Sequence, residues 1–180
     1  MTVSCPLDCP YLQEARKHDR EVPVDPDQFP NKDIRVTDEF IRDNEELITA
    51  TAQGVLAASL ETAGAVDSDV REALDALVRT YRTLEGGVYY ESRPANLLAN
   101  QIYSRVRDSI EEFRRSEQQQ LGMTRTRDSQ VLAALAFLQR LGLDRNNGRP
   151  RGRAFIDFLR SFFPATAAAP AGLGSSLIVP

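Results

Sequence analysis

From Thr37 onward, apolar residues return every three or four positions, and polar residues fill the gaps. In TDEFIRDNEELITATAQGVLAASLETAG the residues Phe40, Ile41, Leu47, Ile48, Thr51, Val55 and Leu56 fall at helical spacing, and the small Ser59 and Ala63 continue the stripe. Thr37 followed by Asp38 and Glu39 is a helix start, because a hydroxyl caps free amides and acids suit the positive end of the helix dipole. Gly64 is the expected stop. A second helix is predicted over DSDVREALDALVRTYRTLEGG, with Asp69 and Glu72 as a box-like start and Val70, Ala73, Leu74, Leu77, Val78, Tyr81 and Leu84 on one face. Gly86 and Gly87 end it.

After the short link VYYES, Ser92 before Arg93 and Pro94 predicts a third helix running to about Gln120. Its apolar face is Leu98, Ile102, Val106, Ile110 and Phe113, and its distal part, EEFRRSEQQQ, is strongly polar. Asp128 is the expected cap of a fourth helix, SQVLAALAFLQRLG. Its middle is apolar on nearly every side, which predicts a central, buried helix. The loop LDRNNGRPRGR leads to a short last helix, AFIDFLRSFF. It sets Phe155, Phe158, Leu159 and Phe162 on one side, with Pro164 as its stop.

The flanks read differently. Residues 1–36 carry Pro6, Pro10, Pro23, Pro26 and Pro30 among many charges. Only Pro10–Asp19 lacks a helix breaker there, and EVPVDPDQFPNKD should run extended across a surface. The end, ATAAAPAGLGSSLIVP, is too poor in large apolar groups to offset the entropy of ordering, apart from Leu177, Ile178 and Val179. These three either fray or dock in a groove. The expected organisation is therefore an N-terminal arm over 1–36, a helical domain over 37–163 and a tail over 164–180. The expected fold class is all-α: a bundle of four main helices plus a short C-terminal helix.

A chain of 180 residues suits one such domain, and 42% hydrophobic with 27% charged residues is an ordinary globular mixture. No apolar run is long enough for a membrane span, and the start does not resemble a secretory leader, so a cytoplasmic protein without membrane contact is expected. The net charge of −4 hides an asymmetry. Residues 1–120 hold 14 basic against 23 acidic side chains, and residues 121–180 hold 8 arginines against 3 aspartates. The basic end could draw an acidic partner or pair with the acidic part of the same or a second chain.

Three groups of residues could carry chemistry. Cys5 and Cys9, with His18, are zinc-type ligands, although a closed structural site needs a fourth. The same two cysteines are one residue too far apart for the common redox pair, and Asp8 opposes a thiolate at Cys9. As small apolar residues they would simply pin the arm to the bundle. In the loop, Arg149–Pro150–Arg151–Gly152–Arg153 resembles the core of an AT-hook. That resemblance implies an extended segment inserting arginine into the minor groove of A·T-rich DNA. Arg145 would join Arg149, Arg151 and Arg153 in contacting phosphates. The plainer reading is an Arg-rich turn, bent at Gly148 and Gly152 and paired with acidic residues.

Tyr89, Tyr90, Glu91 and Arg93 are close enough in sequence to line a small polar pocket, or to form a packed loop with exposed hydroxyls. The phosphate-binding signatures GxxxxGK[ST] and GxGxxG do not occur. One histidine cannot supply the paired Glu-x-x-His of a di-iron bundle. The sequence thus points away from an enzyme. It favours a small helical protein acting through protein–protein contacts and self-associating, in the commonest case as a homodimer. Nucleic-acid contact through the loop at 145–153 is one alternative, and a metal- or thiol-linked module using Cys5, Cys9 and His18 is the other.

Overall fold

The structure is a computed structural model that describes residues 29–168, together with the isolated positions 10, 11, 25 and 27. It is an all-α bundle. The helices are α1 (Asp38–Asp43), α2 (Glu45–Glu61), α3 (Asp67–Glu85), α4 (Leu97–Leu121), α5 (Asp128–Asp144), α6 (Ala154–Phe162) and α7 (Pro164–Ala168), and no strand occurs among the described residues. The four long helices α2–α5 are the predicted bundle, and α6 is the short C-terminal helix. α3 packs along α5 and α4, and α2 packs along α4 and more lightly on α5. α6 and α7 lie against α2.

The core follows from α5. Val131, Leu132, Ala133, Ala134, Leu135, Ala136 and Leu138 are all buried, so this helix has apolar neighbours nearly all round, as its composition requires. Val55 and Leu56 of α2, Leu74 and Leu77 of α3, Ile102, Val106 and Ile110 of α4, and Phe155 and Ile156 of α6 belong to one continuous cluster with it. Each such side chain stabilises the fold by roughly 1.5–3 kcal/mol relative to leaving it in water.

The helix ends depart from expectation in four places. Thr37 does cap α1, its Oγ1 accepting from Phe40 N–H at 3.1 Å, but the helix it starts breaks at Asn44. There the amide side chain donates to the Phe40 carbonyl and accepts from Gln130 of α5, at 2.9 and 2.7 Å. A side chain that competes with the backbone and is held by another helix interrupts the run. α4 begins at Leu97 and not near Ser92, because Asn96 provides the cap: its Oδ1 accepts from Leu98 and Ala99 N–H at 2.9 and 3.4 Å. Arg127, not Asp128, is the N-cap of α5, and Asp128 instead pairs with Arg114 at 2.7 Å. Pro164 stops α6 but also opens α7, since a first-turn proline has no amide to lose. The face predicted for α6 also differs: Phe155 and Leu159 are buried, whereas Phe162 is turned to solvent.

Residues 29–35 lie across α3 and α5. Arg140 donates to the carbonyls of Asn31 and Ile34, both at 2.8 Å, and Arg82 donates to Asp33 and to Asn31. The Arg82 bond is also the main reason that the Asp33 carboxyl is held below its ordinary pKa. Asn31 takes a left-handed backbone conformation, φ 55°, and its amide donates to the buried Gln139 at 2.8 Å. Gln139 in turn donates to Asp75.

At Gly54, α2 passes close to Ser109 of α4. A Cβ built there would lie 2.1 Å from Ser109 Oγ and 3.0 Å from Ser109 Cβ. Gly54→Ala gains helix propensity of about 1 kcal/mol but overpacks the crossing by roughly 1–3 kcal/mol. The expected net result in urea unfolding is a lower midpoint, and an unchanged or higher midpoint would contradict the close crossing.

Candidate functional site

The link between α3 and α4 is the segment in which aromatic, acidic and basic groups come together. Gly87, at φ 77°, turns the chain out of α3. Residues 88–92 then run back along the last turns of α3 without forming a helix. Val88 N–H donates to the Thr83 carbonyl at 2.9 Å. The Thr83 hydroxyl proton is shared between the carbonyls of Thr80 and Tyr90, at 2.8 and 3.0 Å. Ser92 N–H donates to Thr80 Oγ1 at 3.0 Å. Because the Thr80 hydroxyl gives its own proton to the Ala76 carbonyl, the Tyr103 phenol must be the donor in their 3.1 Å contact. Burial pushes the Tyr103 pKa up, which keeps that proton in place.

Held this way, the segment carries an ionic cluster on one side. Glu91 sits between two guanidinium groups, Arg93 at 2.8 Å and Arg107 of α4. Arg107 also donates to the Tyr89 hydroxyl at 3.4 Å. Arg93 lies over the ring of Tyr103, 5.9 Å from its centroid. Of the four residues singled out from sequence, Tyr89, Glu91 and Arg93 adjoin around Arg107, but as a surface cluster and not as a pocket: Val88, Tyr89 and Tyr90 are 60%, 71% and 63% exposed. Arg107, eighteen residues from Tyr89, had no local sequence signal.

The arginine-rich loop is tied to the bundle at both ends. Gly148, at φ 70°, makes the first bend, and Gly152 N–H closes a turn onto the Arg149 carbonyl at 2.9 Å. A side chain at Gly152 would strike Asn147 Oδ1 at 2.3 Å. Arg153 Nε donates to the Ala65 carbonyl at 2.9 Å, and Arg145 lies 4.6 Å over the Phe158 ring and beside Asp144. Arg149 and Arg151 are exposed. Arg145 and Arg153 are thus turned onto the protein itself, and the loop is not a free arm.

Asp67 is the anchor beneath this loop. Its N–H donates to the Gly152 carbonyl at 2.9 Å, and its carboxylate accepts from Phe155 and Ile156 N–H at 3.1 and 3.2 Å, capping α6 from the start of α3. Burial raises its pKa to about 6, against the pull of those amides and with a further push from Asp157. In sequence Asp67 reads only as an acid at a helix start, because its partners lie 88 and 89 residues away.

An open groove of about 1300 Å³ lies at the far end of α4, between the α1–α2 junction and the α4–α5 loop. Within it, Glu117 accepts from both the amide and the hydroxyl of Thr126, at 3.1 and 2.9 Å. Cys5, Cys9 and His18 lie outside the described residues. Among the described residues, no group of three or more His, Cys, Asp or Glu side chains is placed to hold a metal ion. No helix among them is long and apolar enough to cross a membrane. In comparisons with known proteins, no family model, curated protein or solved structure matches the chain.

Asp67 gives this region a pH signature. Its pKa is raised on folding, so its contribution to stability is fully present below about pH 4 and is lost as the pH rises through about 6. The difference is on the order of 3 kcal/mol, at about 1.4 kcal/mol per pH unit. Unfolding measured across this range should show wild type losing this stability, whereas Asp67→Asn lacks that component. Identical slopes for the two proteins would contradict the buried carboxylate.

Proposed function

We propose that this protein is a non-catalytic helical scaffold that works through protein–protein contacts, pairs with a second copy of itself, and uses the α3–α4 link as its contact surface. One observation carries this reading: Val88, Tyr89 and Tyr90 are mostly exposed although the backbone of Val88 and of Tyr90 is hydrogen-bonded to α3. Large apolar and aromatic groups presented on a fixed backbone are what an interface core needs. Tyrosine buries much area at little entropic cost, and the segment does not have to be ordered on binding. Leu97, 68% exposed at the start of α4, adds to the apolar surface close by in the chain. A cytoplasmic setting belongs to the same reading, and rests on two cysteines being too few for a disulfide framework. The arginine-rich loop supports nucleic-acid contact less well, since Arg153 is bonded to the Ala65 carbonyl and Arg145 lies over the Phe158 ring.

Light scattering across a dilution series tests the proposal. The wild-type protein should pass from dimer mass to monomer mass on dilution. The triple variant Val88→Ser, Tyr89→Ser, Tyr90→Ser should remain helical by circular dichroism and stay monomeric at concentrations where wild type is dimeric. A monomer mass for wild type throughout, or a dimer indifferent to the triple substitution, would overturn it.

A further inference from the structure

Residues 31–34 form a turn, closed by the Ile34 N–H on the Asn31 carbonyl at 3.0 Å, and lie across α3 and α5. Among the described residues, every hydrogen bond between this turn and the bundle runs through the side chain of Arg82, Gln139 or Arg140. Those three side chains meet it as a receptor meets a ligand. The Asn31 amide is matched at both ends, donating to Gln139 Oε1 at 2.8 Å and accepting from Arg82 at 2.9 Å. Gln139 presents its oxygen there because its nitrogen is committed to Asp75. The Arg82 guanidinium also forks onto both oxygens of Asp33, at 2.6 and 3.2 Å, a geometry that selects a carboxylate. Arg140 grips the two ends of the turn through carbonyls that any sequence offers. Ile34 packs against the core, whereas Lys32 turns out to Asp27. The pattern recognised is Asn-x-Asp-apolar.

The turn is also placed to leave. Its Arg82–Asp33 pair is 42% and 64% exposed, so water and salt compete for it. Asn31 is held at φ 55°, which a residue with a side chain keeps only where its surroundings impose it. Thr37 caps α1 independently, so the turn can depart without unravelling the helix that follows.

We propose that Arg82, Gln139 and Arg140 form a recognition site for an Asn-x-Asp-apolar turn, that residues 31–34 occupy it as an internal ligand, and that a turn of the same chemistry on another protein displaces them. A second copy is the poorer occupant. Only Arg35 and Val36 separate the turn from the start of α1, so a copy would have to bring its whole bundle against this face. The surface lies beyond the self-association reading and uses none of its residues, so the failure of either leaves the other standing.

A peptide of residues 29–36, FPNKDIRV, tests the site against the full chain carrying Asn31→Ala and Asp33→Ala, which loosens the internal turn and leaves Arg82, Gln139 and Arg140 intact. Saturable NMR shifts should appear at the Gln139 side-chain amide. Wild type should bind roughly tenfold more weakly, because its own turn competes at high effective concentration. Changing the same two residues of the peptide to alanine, or adding Arg82→Ala to the protein, should also weaken binding roughly tenfold. No saturable binding by a variant that stays helical by circular dichroism would overturn the site, as would equal binding by the two peptides or by wild type and variant. A wild-type dimer mass that the two alanines abolish would assign the turn to a second copy and overturn the separate partner. Hydrogen exchange on wild type needs no variant: the Ile34 amide should exchange severalfold faster at high salt while the α5 amides keep their rates. Ile34 protected as strongly as α5 at low and high salt would overturn the release of the turn.

Discussion

The eight side chains from Val131 to Leu138 contain no polar group, and a helix carrying them is stable only where other helices cover it on nearly every side. α3 covers it along most of its length, α2 covers another side, and Phe155 and Ile156 of α6 join the same cluster. α4, the longest helix, then fills the remaining angle between α2 and α3, close enough that Gly54 has no room for a side chain. Burial of α5 thus constrains where every long element sits, and the connections must span the gaps that this packing leaves.

Those connections are held by side chains bonding to backbone, which is how irregular chain meets the requirement that buried polar groups find partners. Thr80 and Thr83 hold the α3–α4 link, Asp67 and Arg153 hold the α5–α6 loop, and Arg140 holds the strap at residues 31–34. Thr80, Thr83, Asp67 and Arg140 project from helices that the core has already fixed, so the segments they hold inherit that rigidity. The cost is visible at Asp67. Satisfying the Phe155 and Ile156 amides placed a carboxylate where burial opposes its charge.

The parts legible in the sequence are those set by local periodicity. The helical class, the four long helices, the buried character of α5 and the Thr37 cap all follow from residues within a few positions of one another. The break at Asn44 was not legible, since it depends on Gln130 of another helix. The start of α4 at Leu97 was displaced from Ser92 by threonines on the preceding helix and by Asn96, which donates to Asp69 at 2.8 Å while capping α4. Asp67 and Arg107 have their roles only through partners that the fold brings near. The candidate site was half legible: VYYES and Arg93 stood out by composition, but their arrangement as a link bonded to α3 and ion-paired to α4 required both helices.

A bundle that fixes an exposed valine and two tyrosines on a link bonded to α3 has a ready contact point with little ordering entropy left to lose. Residue-resolved amide hydrogen exchange at several protein concentrations tests this most directly. The Val88 and Ser92 amides should exchange slowly at every concentration, being bonded to α3. The Tyr89 and Glu91 amides should exchange fast in dilute solution and slow down as the protein is concentrated. Fast exchange at all four amides would contradict the pinned link, and concentration-independent exchange at Tyr89 and Glu91 would contradict self-association through it.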